Sequence, residues 1–450
     1  MSRIAPVLAL LLIAVAVAAV GCTAKQPSPP PAAGPASAGG PPGQVTLTVW
    51  DWHAADPSKG VGLWLANIDK TFEAAHPGLK INHVAQSHTE YYEILKTAAA
   101  AADPQRGPDV VMLHQGSRVL DQRQSLVPLD KYVTPETRKE IVGWELVSDD
   151  YDATRTPWAV PIAVQGLVWY YNKALLREVG LDPEKPPAKW GEFLAACDAL
   201  RKAGKAGIAV GEKEGFWADW FLNSAYLQTC SAEDRPRLRS GEMKWTDPSL
   251  VAVLVRLQEL ADRNCFQKGA LSTPLFPDAG EVFMRGDAGF FLGLISDVAH
   301  WKEFGDMMGA EKVGVMTCPV FQESPDASKF PVGGAFTYAI TKWSLHPSEA
   351  FQYIAFIAGD ENARTFLTEV GSFPANQSFD HSLIADPNAQ KIAQWLAAGR
   401  TGPQLGDMLP AAIGEAFRRE AQSMLAGTTT VAGALEAVEK AAQESRRRGE

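Results

Sequence analysis

The chain has 450 residues, 21% of them charged and 46% hydrophobic, and a formal net charge of -10. That length exceeds one ordinary hydrophobic core, so two domains are expected, and the balance of residue types excludes wholesale disorder. The acidic surplus argues against nucleic acid or an anionic lipid surface as partner, because both select for clustered Lys and Arg.

Residues 1–22 differ in character from the remainder of the chain. Arg3 precedes an apolar run from Ile4 to Val20 that ends in Gly21-Cys22, the layout of a secretory signal with a small-residue cleavage site. Ala19-Val20-Gly21-Cys22 resembles a bacterial lipobox, with Ala where Leu is usual, which implies lipidation at Cys22. A retained membrane anchor is the alternative, since the run is at the short limit for a span. Both readings tether the rest of the chain outside the cytoplasm. Residues 23–43 are dominated by Pro, Ala, Gly and Ser and have nothing to bury, so they are expected to form a disordered tether.

Val45 to Trp50 then reads as a strand, Leu63 to His76 as a helix stopped by Pro77-Gly78, and Lys80 to Val84 as a second strand. Tyr92 to Ala102 is a helix. Asp109 to Leu113 is a continuous apolar run, the mark of a parallel strand covered on both faces. Further on, helices are expected at 190–203, 248–262, 348–358, 415–426 and 430–444, with another beginning in 214–221 and one closing at 282–286. Strands are expected at 207–210, 287–293 and 331–340. Helices alternating with strands define an α/β class with parallel sheets.

Between these halves lies Trp158-Ala-Val-Pro-Ile-Ala-Val-Gln-Gly-Leu-Val-Trp-Tyr-Tyr-Asn-Lys-Ala-Leu-Leu176. Its β-branched and aromatic residues and Pro161 predict a buried extended run that enters a helix. The phrase resembles the first inter-lobe crossing of the carbohydrate-type solute-binding proteins of ABC importers, the maltose-binding group among them. Phe72 to Ile81 and Phe283-Met-Arg-Gly-Asp-Ala-Gly289 are similar to further signals of that family. The resemblance implies a two-lobed, periplasmic-binding-protein-like fold of class II type. Its lobes would be 44–158 with 318–358, and 159–317 with 359–450. Crossings are expected near 159–165, at 312–320 before a return to the first sheet over 331–340, and at Ser372 to Asn376. It also implies a lipid-anchored, monomeric binding protein that catalyses nothing, needs no metal or cofactor, and delivers a small carbohydrate or polyol derivative to ABC permease subunits.

A sugar ring presents an apolar CH face that stacks on indole, while its hydroxyls pair with Asp, Asn, Gln and Glu. Trp52, Trp158, Trp217 and Trp220, at expected strand ends or helix starts, are the candidate stacking residues. Trp169 alternates into the sheet. Asp51 and His53 follow the first strand, Gln86 and Ser87 the second, His114 and Gln115 the third, and Gln165 lies in the crossing. Gly333 and Gly334 would let backbone approach a ligand closely. By the resemblance, Gln165 stands where maltodextrin binders carry a Glu, and His114 and Ser296 where they carry stacking Trp. A long glucan is therefore not the expected ligand. A glycerophosphodiester or another small solute on the same fold is one alternative, although only Arg118 and Arg155 are well placed for phosphate. An exported glycan hydrolase is the other, although no Gly-x-Ser-x-Gly elbow, His-Glu-x-x-His motif or nucleotide-binding glycine loop is present.

Beyond Cys22, Cys197, Cys230, Cys265 and Cys318 remain. Four cysteines in an exported chain allow three connectivities. Cys230 with Cys265, flanking one expected helical hairpin, is the preferred disulfide; buried free thiols are the alternative.

Overall fold

The computed structural model describes residues 44–87, 90–296, 300–333 and 335–448. The signal segment, Cys22, the 23–43 tether and Gly334 lie outside the described residues. Two sheets organise the chain. The first has the order β2 (Leu79–Val84), β1 (Val45–Trp50), β3 (Val110–His114), β10 (Phe336–Ile340), β4 (Val160–Pro161), with β1 parallel to both its neighbours. The second runs β11 (Thr401–Pro403), β9 (Phe330–Gly333), β5 (Gln165–Asn172), β7 (Ala288–Leu294), β6 (Ala206–Ala209), with β8 (Val313–Met316) also on β5.

Burial on both faces makes the central strands β3, β5 and β7 almost wholly apolar. Val110 to Leu113 are fully buried, as are Val168, Trp169 and Tyr170 of β5. Helices cover the faces by presenting one stripe: Trp64, Leu65, Ile68 and Phe72 of the Gly60–Ala75 helix recur at three- and four-residue spacing and are buried. The Tyr171-Asn172-Lys173 phrase has a local reason as well. The Asn172 side chain accepts hydrogen bonds from the Ala174 and Leu175 amides, at 3.0 and 3.1 Å, and so caps the Lys173–Glu178 helix where β5 ends.

The chain passes between the sheets three times, and the three passages lie side by side. Ile162 N donates to Phe336 O at 3.2 Å, Val164 N to Phe373 O at 2.8 Å, and Ala375 N to Ile162 O at 2.8 Å. The first and third crossings fall where expected. The second does not: β9 pairs with β5 and β11 in the second sheet, so the chain returns to the first sheet from Phe336 rather than from Pro331 or from residue 318. The boundary expected at 358 moves too, because the Asp360–Thr365 helix stays on the first lobe. Trp64 Nε1 reaches Thr365 Oγ1 at 3.1 Å, and the Trp64 and Phe366 rings meet at 4.7 Å. Sequence periodicity identifies a strand but not the sheet it joins.

All four described cysteines are buried free thiols. Cys230 sits against the Thr229 hydroxyl, whereas Cys265 meets Cys197. The expected Cys230–Cys265 disulfide is therefore corrected: the two residues lie in different parts of the second lobe's core.

Candidate functional site

Parallel strands in an α/β sheet direct their carboxyl ends at one edge, where ligands bind. Here that edge faces the crossings, because His114 at the end of β3 pairs with Phe336 at the start of β10. Past β1, Asp51 is fully buried and accepts from the His53 amide at 2.7 Å, from His53 Nδ1 at 2.9 Å and from the Tyr338 hydroxyl. Burial opposes its charge, but the His53 charge and hydrogen bond together with the Tyr338 hydroxyl outweigh burial and hold the carboxyl below its usual range. Asp51 thus orients His53 and has no surface left for a ligand.

The half-buried Trp52 meets Tyr91 edge-on at 4.9 Å and the His114 ring at 4.9 Å, while His53 lies 5.0 Å from Phe336. The Tyr92 hydroxyl accepts from the His114 amide at 3.1 Å, and the Arg118 guanidinium lies over the Tyr92 ring at 4.6 Å. These rings form an aromatic wall on the first lobe. Gln86 is half-buried and Ser87 exposed just past β2.

On the second lobe, Ile295 N donates to Gly166 O at 3.0 Å, which sets Ser296 beside the first crossing. The Ser296 hydroxyl is buried and has no hydrogen-bond partner among the described residues. Trp220 packs against Phe276 at 5.8 Å, and Phe276 stacks parallel to the His300 ring at 5.8 Å and 5°. Phe276 is 45% exposed, an unusual state for a ring held between two others. His300 Nδ1 accepts from the Leu294 amide, and burial pushes its pKa down to about 3, so the ring is neutral. The exposed Phe276, backed by the buried Trp220 and His300, makes the second aromatic wall.

Several candidates serve the framework instead. Gln115 is buried, its side-chain amide donates to Ala163 O at 3.1 Å and its backbone N–H donates to Ala335 O at 2.9 Å, stitching two crossings together. Trp158 donates its indole N–H to Asp149 at 2.8 Å. Trp217 is corrected outright: it is fully buried in the second lobe's core among Trp169, Phe221 and Phe266, so no ligand reaches it. Helical phase explains the difference from Trp220, which lies three residues on, at the cleft side of the same helix. Gln165 is half-buried opposite Gly333 in the strand register. Gly333 does permit a close approach, but the partner is internal: a Cβ there would lie 2.1 Å from Asp407 Oδ2. Gly116, at φ 81°, would likewise place a Cβ 2.2 Å from the Asp407 carbonyl oxygen. The Gly406–Met408 turn of the second lobe, held by Asn223 Oδ1 on the Gly406 amide, thereby rests directly on the first.

Beside this contact a cavity of about 860 Å³ opens between Ser117, Leu120 and Tyr151 of the first lobe and Arg239, Met408 and Ala411 of the second. An adjoining space of about 540 Å³ is lined by Arg123, Arg155 and Arg239 opposite Asp149 and Asp150. The Arg239 guanidinium lies over the Tyr151 ring at 5.0 Å. Sequence reasoning missed Phe276, His300, Tyr151, Arg123 and Arg239. The exposed Phe276-Pro277 and the paired arginines carry no motif, and only the fold brings them to the cleft. It also missed Ser372 Oγ and Gln404 Nε2, buried beside the third and second crossings and without partners among the described residues. The described residues contain no grouping of three or more His, Cys, Asp or Glu suited to a metal ion.

Two lobes hinged on three crossings, with aromatic walls at the strand ends, define a class: the two-lobed solute-binding proteins. The chain belongs to the bacterial extracellular solute-binding protein family, whose model matches residues 67–393. It is 22% identical over 348 residues to the sn-glycerol-3-phosphate-binding periplasmic protein UgpB of Escherichia coli K12, covering 74% of this chain and 76% of that one. A binding protein of Brucella abortus is 23% identical over 352 residues, with 74% and 77% covered. Among solved structures, apo RafE from Streptococcus pneumoniae superposes with a TM-score of 0.73 at 16% identity over 90% of this chain and 99% of that one. A chitin oligosaccharide binding protein gives 0.72 at 20% identity over 90% and 100%. The cyclic α-maltosyl-1,6-maltose binding protein of Arthrobacter globiformis gives 0.70 at 19% over 90% and 100%.

Proposed function

We propose that this chain is the lipid-anchored substrate receptor of an ABC importer, that it binds a small carbohydrate or polyol derivative between its lobes without transforming it, and that it presents the ligand to permease subunits as a monomer. The observation that carries this reading is the pair of aromatic walls, Trp52 with His53 and His114 on one lobe and the exposed Phe276, backed by Trp220 and His300, on the other. Ring faces on both sides suit a flat ligand with CH faces, and the unpartnered Ser296 hydroxyl suits a ligand hydroxyl. Closure around such a ligand is stabilised only by contacts made in the cleft, so an occupied receptor differs in shape from an empty one. Cys22 would supply the lipid that keeps the receptor beside its permease.

The experiment is a thermal-shift and tryptophan-fluorescence screen against mono- and disaccharides, polyols and their phosphates. A ligand bound only by the folded receptor raises the melting temperature by mass action. Trp52→Ala should reduce the shift for the true ligand, and silence across the whole panel would refute the substrate class. A second reading, an anionic polyol such as a glycerol phosphate, is favoured by Arg123, Arg155 and Arg239 around the adjoining cavity. Binding that weakens steeply with added salt and with Arg239→Ala selects it over a neutral sugar.

A further inference from the structure

Cys197 and Cys265 come from distant parts of the chain and meet inside the second lobe. Cys197 lies on the Trp190–Lys202 helix, and Cys265 follows the Pro248–Asp262 helix where Phe266 bridges to Ile208 of β6. Gly207 makes the meeting possible. A Cβ on it would fall 2.7 Å from Cys197 Sγ and 3.0 Å from Cys265 O, so any side chain at 207 would occupy the space between helix and strand. The Ile208 amide fixes Cys265 from the other side, donating to its carbonyl at 2.8 Å. Within this frame the neighbouring Cys265 thiol, together with burial, pushes the Cys197 thiol well above its usual pKa range. The other two cysteines are placed differently: Cys230 faces the Thr229 hydroxyl and Cys318 its own chain at Pro319.

We propose that Cys197 and Cys265 are a disulfide site, closed when the chain folds outside the cytoplasm. The family is extracellular, where thiols in contact do not stay reduced. The oxidant is a disulfide donor of the thiol oxidoreductase class. One cysteine thiolate attacks a donor sulfur and expels the first donor thiolate, and the second cysteine attacks the mixed disulfide and expels the other. Two protein thiols and one donor disulfide become one protein disulfide and two donor thiols, the two protons passing to the leaving sulfurs. Because Cys197 is 1% and Cys265 2% exposed, the exchange takes place before the Trp190–Lys202 helix docks on β6, and the finished bond is shielded from reductants.

The test uses the full chain secreted into an oxidising compartment, alkylated under denaturing, non-reducing conditions, digested and mapped by mass spectrometry. The expected result is one cross-linked peptide pair containing Cys197 and Cys265, lighter by two hydrogens, with Cys230 and Cys318 alkylated. In the folded protein a dithiol reductant should leave the bond intact until urea is added. Cys197→Ser with Cys265→Ser should lower the melting temperature of the secreted protein, whereas Cys230→Ser with Cys318→Ser should preserve the cross-link. Alkylation of all four described cysteines in the secreted protein, or a cross-link between any other pair, overturns the proposal.

Discussion

Replacing Gly333 by alanine drives a methyl group to 2.1 Å from Asp407 Oδ2, about 1 Å inside the closest approach that a carbon tolerates. The obstruction is the end of a side chain, so removing that side chain relieves it. Replacing Gly116 by alanine looks similar, with 2.2 Å to Asp407, but there the obstructing atom is the backbone carbonyl oxygen, which no substitution at Asp407 removes. Gly116 also sits at φ 81°, where alanine costs about 1–2 kcal/mol. Overpacking of this kind costs about 1–3 kcal/mol. A folded body of about 400 residues has an unfolding entropy near 0.8 kcal/mol per degree, so Gly333→Ala should lose roughly 1–4 °C in melting temperature and Gly116→Ala roughly 2–6 °C.

The decisive quantity is the coupling with Asp407→Ala. Any backbone strain from alanine at 333 is common to both rows of that cycle and cancels. Adding Asp407→Ala to Gly333→Ala should recover about 1 kcal/mol or more, while adding it to Gly116→Ala should give additive losses to within about 0.5 kcal/mol. Melting curves of the wild type, the three single variants and the two double variants measure both couplings. Equal rescue of the two glycine variants, or rescue of neither, refutes the reading that the Asp407 side chain meets Gly333 within the second lobe while its backbone seats the Gly406–Met408 turn on the first lobe at Gly116.

Three further outcomes are expected. Trp217→Ala empties a fully buried site and should cost about 3–5 kcal/mol of stability, read as a melting-temperature loss with or without ligand. Trp52→Ala, at a half-buried ring on the cleft wall, should change melting little but weaken binding by about 1–3 kcal/mol, or roughly 5- to 150-fold in the dissociation constant. Glu212 has one carboxyl oxygen on the Ala218 amide and the other without a partner, and burial raises its pKa to about 8. The folded state therefore holds this proton while the unfolded chain releases it near 4.5, so stability falls as pH rises from about 4.5 to 8. Glu212→Gln should flatten that limb of the melting profile. His300, pushed down to about 3, acts in the opposite sense: the unfolded ring protonates below about 6.5 and the folded one does not, so stability falls as pH drops below 6.5, and His300→Asn should flatten that limb.

The fold was largely legible because its strands are buried on both faces. Val110 to Leu113 and Leu167 to Tyr171 are continuous apolar runs, and no surface element tolerates such runs. Pairing was less legible. The stretch from Pro331 to Ile340 reads as one strand, yet it breaks at the second crossing, and its halves join different sheets. Nothing in the residue pattern marks which partner each half finds. Trp217 and Trp220 show the same limit at the site. They share a helix and a residue type, both are buried, and only the rotation of that helix packs one among core rings and turns the other toward the exposed Phe276. Disulfide pairing failed for a related reason: Cys230 is nearer to Cys265 in sequence than Cys197 is, but Gly207 decides which thiol Cys265 meets.

Ligand chemistry is set by which polar groups the folding of this chain leaves without partners. Asp51 is committed to His53 and Tyr338, Gln115 to Ala163, Asn223 to Gly406, and the Trp158 indole to Asp149. Ser296 Oγ, Ser372 Oγ and Gln404 Nε2 are buried near the crossings and have no partner among the described residues. All three are uncharged. A buried neutral donor without a partner costs about 1–3 kcal/mol, and a neutral hydroxyl offered by a ligand recovers that cost without desolvating a charge. An anion, by contrast, must shed far more hydration, and the arginines that would compensate it lie at the outer cavity, partly opposed there by Asp149 and Asp150. On the function proposed above, the inner cleft would take hydroxyls and ring faces, and the charged rim whatever the ligand carries at its outer end.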